Sequence, residues 1–355
     1  MKTLKLRIKD KHSKLLTSLA MQVNFVYNYV NHLSYTHLKR TGKFFSAYDI
    51  HSYTKGATAC GLDLHSQTIQ AITEELVRRR IQFRKPKLAW RVSKGAKRSL
   101  GWIPFKASSV SYKNGQIKYS KHFFGLWDSF GLNNYIIKTG CFSQDARGRW
   151  YICLNVVSKE PKPTPNNQNK SAIGIDLGLK DFLTTSDGLK VSAKQHYRNS
   201  EAKLAIAQRA NKKQRVRIIH AKIKNQRLDF QHKLSSKLVN QHSAIYVGNV
   251  NASALSKTTL AKSVLDAAWS QFRTLLRYKC EFAKVMYKEI NEKYTSQMCS
   301  CCSCIGTSSP KGRADLRIRE WSCLSCTTRH DRDINAAKNI LALGHERPVV
   351  GIPLL

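Results

Sequence analysis

The 355-residue sequence has few acidic residues and no long apolar segment. Only 22 Asp and Glu residues oppose 61 Lys and Arg residues, which gives a formal net charge of +39. No apolar run approaches the roughly 18 residues of a membrane-spanning helix. Residues 1–14 are basic but lack the apolar core of a signal peptide. We therefore expect an intracellular protein in a reducing compartment, with no membrane partner.

The surplus of positive charge indicates a polyanionic partner. So many like charges repel one another in a compact chain unless a polyanion offsets them, and nucleic acid is the natural candidate. No acidic residue occurs between Leu76 and Trp127, while residues 78–106 alone contain eleven Lys or Arg. Aromatic residues interleave with these charges, at Phe83, Trp90, Trp102 and Phe105. This composition favours a nucleic-acid groove over its alternative, a solvated basic face with ordinary core aromatics.

Hydrophobic periodicity divides the chain into recognisable segments. Residues 1–9 alternate as a strand does, and residues 15–40, 66–83, 201–240 and about 259–287 have helical spacing. Residues 109–157 are typical of short strands joined by turns. The segment 161–169, PKPTPNNQN, predicts a linker and a domain boundary.

Four cysteines predict a structural zinc site. Cys299, Cys302, Cys323 and Cys326 form C-x2-C-x20-C-x2-C, the spacing of two knuckles that close a tetrahedron of thiolates. Cys301 and Cys304 form a second CxxC pair, and spacing alone does not choose between the two pairs. Unrelated free cysteines are the less favoured alternative.

Two short motifs carry candidate metal-binding carboxylates. Asp176 ends an apolar stretch, SAIGID, that is typical of the first strand of an RNase H-like fold. Asp331 and Asp333 begin an apparent helix, where an Asp is also a favoured N-cap residue. Each motif alone fits a cap or a surface residue as well as a catalytic group. Together with the cysteines and the charge, they favour a metal-ion site.

Four motifs resemble those of the TnpB (OrfB) proteins of insertion sequences. These motifs are GIDLG, YTSQMCSCC, CLSC and HDRDINAAKNIL, and the resemblance covers roughly residues 171–344. Members of this family are RNA-guided DNA endonucleases related to type V CRISPR effectors. The resemblance implies an α/β fold, with an RNase H-like (RuvC-type) nuclease domain, an inserted zinc ribbon, and a preceding β-rich wedge domain interrupted by a helical recognition lobe.

The resemblance also implies domain limits. The expected segments are a wedge strand at 1–14, a helical recognition lobe at 15–100, wedge strands and linker at 101–165, the RuvC core at 166–293, the zinc ribbon at 294–330, the last RuvC motif and helix at 331–344, and a tail at 345–355.

The family resemblance implies three catalytic carboxylates, and one departs from the pattern. Asp176 matches the first and Asp333 the third, while Gly248 occupies the position of the usual second Glu. We hypothesise that Glu292, which precedes the YTSQ motif, replaces it. The alternative is a surface Glu in an inactivated nuclease. The YTSQ lead-in also favours Cys299 and Cys302 as the zinc pair.

The predicted cofactors are structural Zn²⁺ on the four cysteines and catalytic Mg²⁺ on Asp176, Glu292 and Asp333. The expected partners are a guide RNA, a noncoding RNA from the transposon end, and a target DNA bound by a monomer in the cytoplasm or on the nucleoid. The candidate nucleic-acid contacts are Arg78, Arg79, Arg80, Arg84, Lys85, Lys87, Arg227, Lys233 and Arg329. Two alternatives to an active endonuclease are a nuclease-inactive guided repressor and a DNA strand-transfer transposase.

Overall fold

The computed structural model describes residues 2–95, 97–159, 170–311, 315 and 317–345. The chain separates into two compact units, with the division between Pro163 and Thr164. This division falls within the segment that the sequence predicts as a linker. The linker itself, like the tail after residue 345, lies outside the described residues.

The first unit contains a seven-stranded antiparallel sheet. Its strands run in the order β2-β6-β7-β1-β5-β4-β3. Leu4, Leu6 and Ile8 of the central strand β1 are buried, as the predicted alternation requires. The strand bounds are β1 Lys2–Ile8, β2 Trp102–Phe105, β3 Val110–Lys113, β4 Gln116–Tyr119, β5 His122–Trp127, β6 Tyr135–Gln144 and β7 Trp150–Ser158.

Three helices lie between the first and second strands of this unit. They are α1 (Ser13–Thr41), α2 (Ala47–Thr54) and α3 (Ser66–Phe83). The first and third were predicted from periodicity, and their buried faces share one core with the sheet. Of the interleaved aromatics, Phe83 and Trp90 are exposed, but Phe105 is buried in this core and does not line a groove.

The second unit contains a five-stranded mixed sheet in the order β10-β9-β8-β11-β12. Strands β8, β11 and β12 are mutually parallel, and β9 and β10 are antiparallel. The carboxyl ends of the three parallel strands therefore lie at one edge of the sheet. The strand bounds are β8 Ala172–Asp176, β9 Asp181–Thr185, β10 Lys190–Ser192, β11 Ala244–Gly248 and β12 Met286–Ile290.

The helices of this unit correct two sequence predictions. The predicted helix 201–240 is divided into α4 (Glu201–Arg209) and α5 (Lys213–Gln241), with Asn211 at a φ of 52° between them. The predicted helix 259–287 is wrong in extent. It comprises α7 (Ala261–Ala267), α8 (Trp269–Ala283) and then β12, because Ala268 has a left-handed φ of 51° that no α-helix continues through. The short α6 (Ala252–Leu255) precedes them.

The last described elements are a small two-stranded sheet and a helix. Strands β13 (Glu320–Ser322) and β14 (Arg329–Asp331) pair antiparallel, and α9 (Arg332–His345) follows directly. Helix α9 packs on β8 through Ala336, Ala337 and Ile340, which are buried.

Close packing of α9 on the sheet requires glycine at two positions. A Cβ on Gly174 would lie 2.1 Å from the carbonyl oxygen of Ala337, and one on Gly344 would lie 2.3 Å from the Tyr246 ring. We expect Gly174→Ala to lower the free energy of unfolding by about 1–3 kcal/mol, because α9 must move away from β8. Thermal denaturation would measure this loss. Gly306→Ala, which adds a Cβ with nothing within 4 Å, is the matched control and should change little.

None of the helices in the described ranges is long and apolar enough to cross a membrane.

Candidate active site and metal centre

Asp176 is the last residue of β8, at the edge where the parallel strands end. The strand before it is buried, with Ile173 and Ile175 in the core of the second unit. Its carboxyl group is thereby placed at the end of an apolar strand, where the sheet fixes its direction. This is the position that the sequence analysis assigned to the first metal-binding carboxylate.

Glu292 lies beside the strand end that lacks a carboxylate. Gly248, the last residue of β11, is paired with Ile290 of the neighbouring β12, two residues before Glu292. A Cβ built on Gly248 would lie 3.0 Å from Glu292 Oε2 and 3.5 Å from Glu292 Cβ. The Glu292 side chain therefore lies against the position from which a side chain at residue 248 would project.

Asn249 holds the segment that carries Glu292. Its backbone N–H donates to the Ile290 carbonyl (2.9 Å), and its side-chain Oδ1 accepts from the Glu292 N–H (3.3 Å). Like Gly248 before it, Asn249 carries no carboxylate, so the sequence gives it no role as a metal ligand. Its positioning contact depends on the parallel pairing of β11 with β12, which no local pattern in the sequence reveals.

The two aspartates that begin α9 have different surroundings. Asp331 acts as the cap: its Oδ1 accepts from the N–H groups of Asp333 and Ile334 (3.1 and 3.0 Å), and its Oδ2 lies 2.6 Å from Lys190 Nζ. Asp333 lies in the first helical turn, with Arg319 Nη1 3.4 Å from its Oδ2. The capping interpretation thus fits Asp331, and Asp333 is the one that acts electrostatically on Asp176.

Asp333 and Glu292 are each close enough to Asp176 to act on its charge. Burial, followed by the negative charges of Asp333 and Glu292, raises the pKa of Asp176 to about 7. Burial also raises the pKa of Glu292, although Arg273 opposes this shift. A cation would relieve this repulsion, so the donor set fits a hard divalent ion. The three carboxylates are not as tightly grouped as the cysteine sulfurs, whose four ligand atoms lie within 4.8 Å of one another.

The sulfur atoms of Cys299, Cys302, Cys323 and Cys326 converge on one point. The Cys299–Cys326 and Cys302–Cys323 sulfur separations are both 3.6 Å. A zinc ion with Zn–S bonds of about 2.3 Å would need tetrahedral edges of about 3.8 Å, so the arrangement could hold zinc with little adjustment. Cys301 and Cys304 are exposed and lie outside this cluster.

Backbone conformation and a buried histidine support the cysteine cluster. Ser303 and Thr327, each directly after the second cysteine of a pair, have φ values of 62° and 60°, so the two knuckles turn alike. Two groups contact the Cys299 sulfur: the backbone nitrogen of Cys301 at 3.4 Å and Nε2 of His330 at 3.0 Å. His330 is 6% exposed, and burial lowers its pKa. Such outer contacts orient ligating groups.

Two asparagines join the cysteine cluster to α9. Asn335 and Asn339 are one helical turn apart, and both donate to the carbonyls of Thr295 and Met298, at 2.7 to 3.3 Å. The Asn335 Oδ1 accepts from the Ser300 N–H at 2.9 Å. Thr295 in turn donates its hydroxyl to the Glu292 carbonyl at 2.8 Å. The segments that carry Glu292, Cys299 and Asp333 are therefore tied together. The i, i+4 spacing of Asn335 and Asn339 is the sequence signal that could have indicated this connection.

The predicted nucleic-acid contacts near α3 are only partly available. The prediction that Arg80 contacts nucleic acid is wrong, because its side chain is only 7% exposed. Arg80 donates to Ser34 and to the Phe45 carbonyl (2.7 Å), and it holds α3 against α1. Arg78 and Arg79 are exposed and pair with Glu75. Arg84 and Lys85 are exposed. Lys87 is half-buried, and its Nζ lies 5.0 Å from the centre of the Tyr35 ring.

The predicted nucleic-acid contacts of the second unit differ in their exposure and in their bonding partners. Arg227 is half-buried and donates to the Leu265 carbonyl at 2.9 Å. Lys233 is exposed and pairs with Asp229 at 2.8 Å. Arg329 is exposed and pairs with Glu320. Arg332, which flanks the aspartates, is buried and contacts the Asp315 carbonyl, and its positive charge opposes the rise in the pKa of Asp176.

Loss of the Asn249 side chain should weaken the site without unfolding it. We expect Asn249→Ala to weaken the binding of a divalent cation to the three carboxylates by about tenfold, since outer contacts of metal ligands contribute roughly 10–100-fold. Calorimetric titration with Mg²⁺ would measure this. Asn251→Ala removes a similar acceptor, which caps α6, and should leave the affinity unchanged. An equal loss in both variants would contradict a positioning role.

Family models match both halves of the second unit's sequence. Residues 155–259 match OrfB_IS605, described as a probable transposase, and residues 269–340 match the Cas12f1-like TNB domain. These regions contain the first carboxylate motif and the cysteine cluster respectively. Both matched regions are similar to proteins of the TnpB/OrfB family. The resemblance that the four motifs predicted is confirmed.

Curated proteins similar to this chain carry related descriptions. A Streptomyces pristinaespiralis protein named "Putative RNA-guided DNA endonuclease" is 33% identical over 268 residues, which are 71% of this chain and 64% of the relative. The "TnpB-like protein L79" of Acanthamoeba polyphaga mimivirus is 31% identical over 240 residues, 59% of this chain and 44% of the relative. The chain thus spans less than two thirds of the length of these curated relatives.

Among solved structures, a cryo-EM structure of a Cas12f1–sgRNA–target DNA complex is similar to this chain at a TM-score of 0.38. The match has 16% identity and covers 96% of this chain and 98% of that one. A likeness of that strength carries no argument about fold or function.

Proposed function

We propose that this protein is an RNA-guided DNA endonuclease of the TnpB type. One observation carries the proposal: Glu292 lies at the strand end where Gly248 lacks a side chain, and its charge acts on Asp176, as that of Asp333 does. Three carboxylates thus remain available although the usual second one is missing. The same observation argues against a guided repressor without cleavage. A strand-transfer transposase would use the same three carboxylates, so the RNA test below separates it from an endonuclease.

The sheet of the second unit supports an RNase H-like (RuvC-type) assignment. Three parallel strands, β8, β11 and β12, adjoin two antiparallel ones, and the first and central strand, β8, ends in Asp176. The cysteine cluster lies between Glu292 and Asp333 in sequence, as an inserted zinc ribbon would. We assign the first unit to a wedge sheet, β1 to β7, interrupted by a recognition lobe of α1 to α3.

Asp176, Glu292 and Asp333 are the residues that would hold catalytic magnesium. When bound, Mg²⁺ supplies an activated water and stabilises the leaving oxygen of the scissile phosphate. The chain's own contribution is to fix the three carboxylates, through β8, the Asn249 contact and the first turn of α9.

The cysteine cluster would hold zinc in a structural role. Four thiolates complete a tetrahedron and leave no open coordination position for a substrate. Its contribution to catalysis is indirect, because Asn335, Asn339 and Thr295 connect it to the segments with Asp333 and Glu292.

The charge distribution supports a guide RNA and a target DNA as partners. The exposed basic residues near α3 and the long basic helix α5 are suited to the phosphates of a guide–target duplex. In related effectors, base pairing reads the target while the protein reads a short flanking motif. We propose that the protein acts as a monomer with its RNA in the cytoplasm, on DNA of the nucleoid.

The RNA that purifies with the protein tests this function. We expect sequencing to find one noncoding RNA whose end pairs with DNA, and we expect Mg²⁺-dependent cleavage of a plasmid that carries the matching target. Cleavage that ignores the RNA would favour a transposase or an unguided nuclease. Guided binding without cleavage would favour the repressor alternative.

A further inference from the structure

Cys141 and Cys153 lie directly opposite each other in the sheet of the first unit. Cys141 belongs to β6 and Cys153 to β7, and the two strands pair antiparallel with these residues in register. Opposed residues of an antiparallel pair have Cα atoms about 4.5–5.5 Å apart, and disulfide bonds span Cα separations of about 4.4–6.8 Å. The two cysteines are therefore at a separation that a disulfide bond can span.

The sulfur atoms of the pair are in contact and can be reached from solvent. The thiol of Cys141 donates a hydrogen bond to the sulfur of Cys153. Phe142 and Ile152, the adjacent pair of the same two strands, are buried in the core, whereas both cysteines are half-buried. Because side chains alternate between the faces of a sheet, the cysteines lie on the face away from the core, where a small oxidant has access.

Two further side chains lie beside the Cys153 sulfur. The Ser143 hydroxyl oxygen is 3.6 Å from it. Lys5 of β1 is directly opposite Cys153 on the side away from Cys141, and its ammonium group lies 4.3 Å from the centre of the Tyr151 ring. A hydroxyl and a nearby cation both stabilise a thiolate. Cys153 thus has a thiol donor on one side and a positive charge on the other.

These surroundings make the two thiols unequal. The hydrogen bond from Cys141, with the Ser143 hydroxyl and the charge of Lys5, lowers the pKa of Cys153, although burial opposes this shift. The same hydrogen bond, followed by burial, raises the pKa of Cys141. The thiolate is the reactive form of cysteine, so Cys153 is the nucleophile of the pair and Cys141 the thiol that follows it.

We propose that Cys141 and Cys153 form a peroxide-reactive dithiol that closes reversibly to a disulfide bond between β6 and β7. The Cys153 thiolate attacks hydrogen peroxide: an S–O bond forms, the O–O bond breaks, and the hydroxide that leaves is protonated to water. The Cys141 sulfur then attacks the Cys153 sulfenic acid. An S–S bond forms, the S–O bond breaks, and the hydroxyl group leaves with the Cys141 proton as a second water. The two thiols lose two electrons, which reduce one peroxide.

A disulfide of this kind suits a reducing compartment, where such bonds are usually transient and sense oxidants. The inference does not depend on the proposed function, because the pair belongs to the first unit and the three carboxylates belong to the second. Its test therefore needs neither RNA nor DNA.

Mass spectrometry of the full-length, zinc-loaded protein tests the pair. The protein would be treated with hydrogen peroxide, its free thiols blocked with N-ethylmaleimide, and its peptides mapped without reduction. We expect linked peptides that contain Cys141 and Cys153, lighter by two hydrogens than the reduced peptides, and we expect dithiothreitol to separate them. Cys60, an exposed cysteine between α2 and α3, is the internal control. The link should form at least about tenfold faster than Cys60 is oxidised.

Two results would overturn the proposal. One is recovery of Cys141 and Cys153 as free thiols at a peroxide exposure that oxidises Cys60. The other is a disulfide that joins either residue to a cysteine of the zinc cluster in place of its partner. Both are read on the unmodified protein, so a variant that fails to fold does not obscure them.

Two single substitutions test the separate roles of the cysteines. Cys141→Ser keeps a hydroxyl that can donate to Cys153 but supplies no second thiol, so oxidation should stop at the Cys153 sulfenic acid, which dimedone traps as an adduct. Cys153→Ser should leave Cys141 reduced, with oxidation no faster than that of Cys60. Equal oxidation rates of the remaining cysteine in the two variants would contradict the assignment of nucleophile and resolving thiol.

Discussion

Replacement of Glu292 by alanine will reduce guided DNA cleavage by at least about a hundredfold, to the background of an Asp176→Ala protein. The reason is that outer contacts of metal ligands already contribute roughly 10–100-fold, and a ligand contributes at least as much. Binding of RNA and of matching DNA should be retained, because the change removes a carboxylate and no basic contact. Single-turnover cleavage rates and target-binding measurements on the same preparations would separate the two effects.

Glu281→Gln is a suitable control for this experiment. Glu281 is an exposed residue of α8, eleven positions before Glu292. The substitution Glu281→Gln removes one negative charge from the same unit. It should cleave as the unmodified protein does. If Glu292→Ala also cleaves at the unmodified rate while Asp176→Ala is inactive, Glu292 is a surface residue and the site has another composition.

Loss of the metal from the cysteine cluster should reduce cleavage as well as destabilise the ribbon. Structural zinc in small domains contributes apparent binding energies of about 10–16 kcal/mol, so these segments depend on it for their fold. Because Thr295 and Met298 accept from Asn335 and Asn339, unfolding here removes contacts of α9 and of the Glu292 segment. We expect Cys302→Ser to release zinc, to lower the melting temperature and to reduce cleavage at least about tenfold.

The chain contains matched controls for the zinc experiment. Cys301 and Cys304 are exposed cysteines next to the cluster but outside it, so Cys304→Ser should retain one equivalent of zinc and full activity. Zinc content by mass spectrometry and cleavage rate would be measured together. An apoprotein that keeps both its Mg²⁺-dependent cleavage and its target binding would show that the ribbon is independent of the carboxylates.

Local sequence patterns were sufficient for features that local physics determines. The strand at Lys2–Ile8 and the helix at Ser66–Phe83 follow from periodicity, and the cysteine spacing follows from the geometry of metal knuckles. Features set by tertiary contacts were not accessible in this way. Arg80 belongs to a basic run but is buried against Ser34, and the helix break at Ala268 has no glycine or proline to mark it.

The carboxylate site shows the same division. Motifs predicted Asp176 and Asp333 as metal-binding carboxylates. The position of Glu292 before the YTSQ motif predicted it as the third. The space that Gly248 leaves for Glu292 and the contact of Asn249 both depend on the pairing of β11 with β12. Two strands separated by α6, α7 and α8 must align before either relation exists, so sequence alone did not predict them.

The most direct test of the central claim is an exchange of the carboxylate between the two strand ends. The claim is that Glu292 occupies the functional place of a side chain missing at residue 248. Cleavage rates would be measured for Glu292→Ala, for Gly248→Glu, and for the two changes combined. Gly248→Glu alone should impair cleavage, because its Cβ would lie 3.0 Å from the existing Glu292 oxygen.

The combined variant should cleave at least about tenfold faster than Glu292→Ala alone, because one carboxylate again faces Asp176 and Asp333. The contradictory result is a Glu292→Ala protein that cleaves at the unmodified rate and is unaffected by the added Gly248→Glu.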